Sequence, residues 1–157
     1  MKIKLLCIGK ENLEELQAAA QEYISKINNY ISFEIDAIPY LKHTKSLTIE
    51  LQKKQEGELL LKKMATQDTV VLLDERGREV SSLQFSQFMQ QRLNSGYKNL
   101  LFVIGGAYGF SEKIYQRADF SISMSKLTFP HKLVRLLFVE QLYRTFTLLK
   151  GESYHHE

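Results

Sequence analysis

Leu100 to Ile104 is an unbroken apolar run that enters Gly105-Gly106-Ala107-Tyr108-Gly109, and Thr69 to Leu73, almost as apolar, enters Asp74-Glu75-Arg76-Gly77. Strands without polar alternation have to be covered on both faces, the condition of a mainly parallel sheet held between layers of helices. A glycine cluster at the carboxyl end of such a strand is where open α/β sheets seat ligands, because glycine permits positive φ and lets a ligand or another backbone come close. Any fold for this chain has to bury these two runs and gather the loops that follow them.

The rest of the chain supplies the covering. Ile3 to Ile8 reads as a first strand ended by Gly9, and Leu13, Leu16, Ala20, Tyr23, Ile24 and Ile27 recur at helical spacing, so a helix is expected from about Asn12 to Asn28. Ser32 to Ile38 reads as a second strand ending at Pro39. A helix is expected from Ser46 to Met64, with a bend possible at Gly57. Ser81-Ser82 offers an N-cap to a helix that stops at Asn94-Ser95-Gly96, and Ser111 offers its side chain as the cap of a short one. Asp119 to Ser123 is expected as a fifth strand. The last helix starts near Pro130 and runs to about Lys150, with apolar residues on more than one face. Strands alternating with helices give an α/β fold, a mainly parallel sheet with helices on both faces. The surplus apolar surface of the last helix has two readings: a two-fold homodimer contact, or burial within the layer beside the sheet.

A chain of 157 residues buries one core well and two poorly, so residues 1–157 are expected to form a single domain. No apolar window approaches the roughly 18 residues of a membrane span, and the start lacks the long apolar stretch of a secretion signal, so a cytoplasmic protein is expected. The formal charge of +3 permits an RNA partner without requiring one. Cys7 has no second cysteine to pair with and falls in the first strand, where a small buried hydrophobe is the expected role.

Several catalytic signatures are missing. Gly105, Gly106 and Gly109 do not have dinucleotide-binding spacing, and there is no phosphate-binding P-loop. His43, His131, His155 and His156 lack metal-ligand spacing, so no metal is expected. Three loops remain that could meet in space: Leu73 to Gly77, Gly105 to Gly109, and Met124 to His131. They mix apolar side chains with backbone donors and acceptors and lack concentrated positive charge, which suits an adenine ring and not a triphosphate.

Five stretches in order, Leu73-Asp74-x-x-Gly77, Ile104-Gly105-Gly106-x-x-Gly109, Leu127-Thr128-Phe129-Pro130-His131-x-Leu133-Val134-Arg135, Glu140-Gln141-Leu142-Tyr143-Arg144 and Tyr154-His155-His156-Glu157, make the chain resemble the RlmH family of SPOUT methyltransferases. The resemblance runs from the first strand to the last residue. It implies an S-adenosylmethionine-dependent enzyme that methylates N3 of a pseudouridine in 23S ribosomal RNA, within the assembled ribosome, as a homodimer with a C-terminal trefoil knot. Matched position by position, it implies cofactor contacts at Leu73, Gly105, Met124, Ser125, Lys126, Leu127, Thr128 and Phe129.

Pseudouridine N3 is a protonated imide at neutral pH, so a base must take its proton or donors must stabilise the developing anion. His131, beside the proposed cofactor loop, could do either. Its plainer reading is a histidine that only hydrogen-bonds the loop. The tail after Gly151 would ordinarily be a frayed terminus. The resemblance instead implies an ordered tail, contributed by the partner subunit, with Tyr154 and His156 at the target nucleotide. Position 156, usually Arg or Lys in the family, is His here, a titratable charge in place of a fixed one. Arg135 and Arg144 could pair with Glu140 or contact RNA, and Lys126 and Lys132 are the better phosphate candidates. That altered tail residue motivates an alternative, a ribosome-binding module of the same fold without turnover. A flavin or nicotinamide oxidoreductase has only the α/β pattern in its favour.

Overall fold

The computed structural model describes residues 1–10 and 14–156. Among them, five strands form one sheet: β1 Lys2–Ile8, β2 Ser32–Ile38, β3 Asp68–Glu79, β4 Asn99–Ile104 and β5 Phe120–Ser123. All neighbours are parallel, in the order β2-β1-β4-β3-β5. The helices are α1 Glu14–Ile27, α2 Ile49–Lys62, α3 Ser82–Asn94, α4 Glu112–Arg117 and α5 His131–Leu149. Asn12 and Leu13, expected in the first helix, lie outside the described residues.

Side chains alternate across a strand, so each apolar strand feeds two cores. Leu5, Cys7, Val71, Leu73, Leu100, Phe102 and Ile104 face one side, where they meet Phe85 and Met89 of α3 and Phe138, Val139, Leu142 and Phe146 of α5. Leu6, Ile8, Val70, Leu72, Leu101 and Val103 face the other, against Leu60 of α2 and Ile114 of α4. The central contact is Phe102 on Phe138, ring centroids 4.7 Å apart and both fully buried. Truncating either ring to Ala removes about 3–5 kcal/mol. The surplus apolar surface of α5 is thus partly explained within the chain, because the helix packs against both α1 and α3.

Local expectations needed four corrections. β3 does not end at Leu73: after an irregularity between Leu73 and Arg78 it pairs with the end of β5, Arg78 with Ile122 and Glu79 with Ser123. Gly77 allows this, since a Cβ there would sit 2.7 Å from the Ile122 backbone. The helix expected from Ser46 to Met64 forms but starts later, as α2 from Ile49: a 3-10 turn, Thr44–Ser46, precedes it, and its first turn is capped by the Thr48 hydroxyl accepting from Leu51 N. α2 runs through Gly57 without interruption; its missing side chain leaves room for Ser111 of the neighbouring layer. Ser111 caps α4 through its carbonyl alone, with no side-chain cap bond. The N-cap expected at α3 is present and is half of a capping box: Ser81 Oγ accepts from Gln84 N while Ser81 N donates to Gln84 Oε1.

Candidate active site

The carboxyl ends of β4 and β5 and the irregular stretch of β3 after Leu73 open into one cavity of about 450 Å³, within the range of small-molecule sites. It brings together all three loops singled out from the sequence. Leu73, Gly105, Met124, Ser125, Leu127, Thr128 and Phe129 line it, with His131 on its wall. Lys126 does not: its side chain is 81% exposed and lies 3.5 Å from Glu79.

Hydrogen bonds hold the walls. Gly109 N donates to Gly106 O at 3.1 Å, closing the glycine turn, and Gly109 has φ +82, a conformation side-chain-bearing residues rarely adopt. Ser125 Oγ accepts from Leu127 N at 2.9 Å, and Ser123 Oγ donates to Ser125 O at 3.0 Å. Thr128 Oγ1 donates to Glu75 Oε2 at 3.0 Å, tying the loop after β5 to the irregular stretch of β3. Asp74 accepts from Tyr115, and burial followed by that bond pushes the Tyr115 hydroxyl up to about 12. Leu127, 70% exposed, stands at the lip.

Below the glycine turn lies Glu56, 4% exposed, its carboxyl occupying the volume a side chain at Gly106 would need. Its Oε1 has no hydrogen-bond partner among the described residues, and burial holds the carboxyl above its usual range. Nothing in the sequence distinguishes Glu56 from the solvated glutamates of the same helix.

His131 opens α5, and its Nε2 meets the Tyr40 hydroxyl at 2.5 Å. Tyr40 reaches it from the loop after β2, its ring filling the space beside Gly9 that a Cβ would occupy. Gly9 has φ +93, and its carbonyl accepts from Arg135 Nη2 at 2.7 Å. Arg135 is therefore a buried positioning group and not an RNA contact. Tyr40 carried no sequence signal beyond following Pro39, because its role depends on a loop and a helix 91 residues apart.

The tail is not frayed. Tyr154 packs on Tyr143, ring centroids 4.9 Å apart, and donates to Glu140 Oε1 at 3.1 Å. Arg144 pairs with the same carboxylate at 2.5 Å and contacts His155 Nδ1 at 3.1 Å. Burial first, then hydrogen bonding, holds the Tyr154 hydroxyl above the ordinary phenol range. Glu140 lies nine residues beyond His131, about 13 Å along the helix and half a turn round it. The structure therefore does not bring Tyr154 and His156 to the cavity of their own chain.

The parallel α/β sheet carries its cavity where strand-end backbone, glycine turns and apolar side chains meet, and the chain belongs to the SPOUT methyltransferase family, a family of enzymes. The profile described as "Predicted SPOUT methyltransferase" matches residues 1–155. Among curated proteins, the chain is 55% identical to ribosomal RNA large subunit methyltransferase H of Christiangramia forsetii over 99% of both chains. It is 50% identical to the protein of that name in Bacteroides thetaiotaomicron and 48% to that of Flavobacterium johnsoniae, each over the full length of both. Among the described residues no cluster of three or more His, Cys, Asp or Glu could hold a metal ion, and no helix is long and apolar enough to cross a membrane.

Proposed function

We propose that this protein methylates N3 of a pseudouridine in 23S ribosomal RNA within the assembled ribosome, as a cytoplasmic homodimer using S-adenosylmethionine. The observation that carries the reading is the meeting of the irregular stretch of β3 with the loops after β4 and β5 around one cavity, with His131 on its wall. Relatives of equal length named as ribosomal RNA large subunit methyltransferases supply the target class.

The residues present fit the cofactor. Leu73, Ile104, Met124, Leu127 and Phe129 offer an apolar slot for a purine, and the backbone of the glycine turn offers donors and acceptors to its edge. A Cβ at Gly105 would press to 3.1 Å on Phe110, so this wall is formed by bare backbone. S-adenosylmethionine, when bound, supplies an activated methyl group on a sulfonium. Leu73, Gly105, Met124, Ser125, Leu127, Thr128 and Phe129 hold it, and Lys126 contributes through its main chain. Methyl transfer needs alignment and exclusion of water more than covalent help. Leu127 and Phe129 exclude water, the Thr128–Glu75 bond fixes the loop, and His131 accepts the N3 proton as the nitrogen becomes the nucleophile.

Tyr154 and His156 act at the target base of the partner's cavity, since the path along α5 keeps them from their own. The fold includes a C-terminal trefoil knot in the stretch that carries the chain from β5 past the cavity to α5. Both elements of this reading follow the family resemblance and are compatible with the placement of α5.

The test is transfer of labelled methyl from S-adenosylmethionine to ribosomes lacking the modification, with the modified base mapped by reverse transcription. Transfer to one pseudouridine, lost in His131→Ala, is the expected result. Unmodified RNA beside an active control enzyme would overturn the enzymatic reading and favour a binding module.

A further inference from the structure

We propose that the turn between β2 and α2, through Lys42, His43 and Lys45, docks the RNA backbone next to the target nucleotide. The proposal rests on the reading above and names a surface for its substrate.

Position is the first argument. Tyr40 fixes the start of this turn to His131 itself. Lys42 follows two residues later, so its Cα lies within about 7 Å of that of Tyr40. A lysine side chain adds about as much again. A base presented to His131 carries its own phosphate and those of its neighbours into that radius.

The second argument is charge. From Ala37 to Ile49 the chain has no acidic residue, while Lys42, His43 and Lys45 are all exposed. The carboxylates that bound this stretch are engaged elsewhere: Asp36 with Lys63 at 3.3 Å and Glu50 with Lys53 at 3.7 Å. Among the described residues no carboxylate lies within ion-pair distance of Lys42 or Lys45. Such unneutralised lysines hold polyanions through release of condensed counterions.

Order is the third. His43 takes the left-handed conformation, φ +58, Ser46 Oγ donates to His43 O at 3.2 Å, and Leu47 N donates to Thr44 O at 3.0 Å. The cations are thus displayed by a hydrogen-bonded turn at the same edge of the sheet as the cavity. Phosphate contacts of this kind set register and orientation without reading sequence.

The experiment compares Lys42→Gln/Lys45→Gln with Lys2→Gln/Lys98→Gln, the same charge change at the opposite, amino-terminal edge of the sheet, where Lys2 N donates to Lys98 O. Initial rates on ribosomes are measured across salt concentrations, with S-adenosylmethionine affinity measured by calorimetry. The turn variant should raise KM for ribosomes by about tenfold and flatten the salt dependence of kcat/KM by about 1.5 log units per log unit. Its kcat and cofactor affinity should stay within about twofold of wild type, since phosphate contacts position and do not react. An unchanged KM and salt slope, or an equal effect from the Lys2/Lys98 variant, would overturn the proposal. A photo-crosslinking residue at Ser46 should attach to ribosomal RNA; attachment only to ribosomal protein would assign the turn to a protein partner and also overturn it. Wild-type protein that transfers no methyl group at all would instead remove the underlying enzymatic reading, and the docking proposal with it.

Discussion

Tyr40 and His131 meet hydroxyl to Nε2 at 2.5 Å, with ring centroids 5.7 Å apart in an edge-on arrangement. A strand-end loop thereby orients the imidazole on the cavity wall. Tyr40→Phe keeps the ring beside Gly9 and deletes the bond. Single-turnover methyl transfer should slow about three- to tenfold, the scale of one hydrogen bond to a reacting group. Cofactor affinity by calorimetry should be unchanged. An equal loss in both would assign Tyr40 to the cofactor pocket.

Thr128 donates to Glu75 across the cavity mouth, linking the stretch after β5 to the irregular stretch of β3. Thr128→Val preserves shape and removes the donor. S-adenosylmethionine should bind about two- to tenfold more weakly, with thermal stability nearly unchanged, because the bond is exposed and worth about 0.5–1.5 kcal/mol.

Glu56 makes stability depend on pH. Burial raises its carboxyl in the folded chain. The unfolded chain therefore releases this proton first, and the folded state loses stability as pH rises from about 4.3, the ordinary glutamate value, to the raised value, with no further change above it. Glu56→Gln abolishes the titration. Thermal melts should show Glu56→Gln gaining on wild type as pH rises above the ordinary glutamate value, by an increment that levels off once the folded-state carboxyl has ionised. A difference that stays constant with pH would mean that burial does not shift this carboxyl.

Tyr154 lies on the opposite face of α5 from His131, so in a dimer with exchanged tails two defective chains should complement each other. His131→Ala subunits mixed with subunits ending at Gly151 should form heterodimers with one intact site, restoring about a quarter of wild-type activity on random re-association of two-fold dimers. No recovery, with mixed dimers verified by mass, would place the tail's role within its own chain or nowhere.

Much of this protein is determined locally. The two apolar runs, Thr69 to Leu73 and Leu100 to Ile104, demand burial on both faces, and that requirement with helical spacing between them was enough for a parallel α/β sheet. The N-cap at Ser81 depends on neighbours three residues apart, so it too was legible. The stretches Leu73 to Gly77, Gly105 to Gly109 and Met124 to His131 could be read as a pocket because glycine and proline mark where backbone must bend.

Tertiary structure decided what depends on distant partners. β3 continues past Leu73 because β5 accepts its far end, and Gly77 clears the way. Gly57 reads in isolation as a weak point of a helix, yet its lack of a side chain is what Ser111 fills. Glu56 looks like any surface glutamate until Gly106 is folded over it, and Arg135 like an RNA contact until Gly9 takes its guanidinium. Tyr40 and His131 are joined only when β2 and α5 reach the same edge of the sheet. A side chain's local pattern fixes which element it joins, through backbone sterics and burial of one face; which distant atom it meets is set by how the layers close, and no spacing along the chain encodes that.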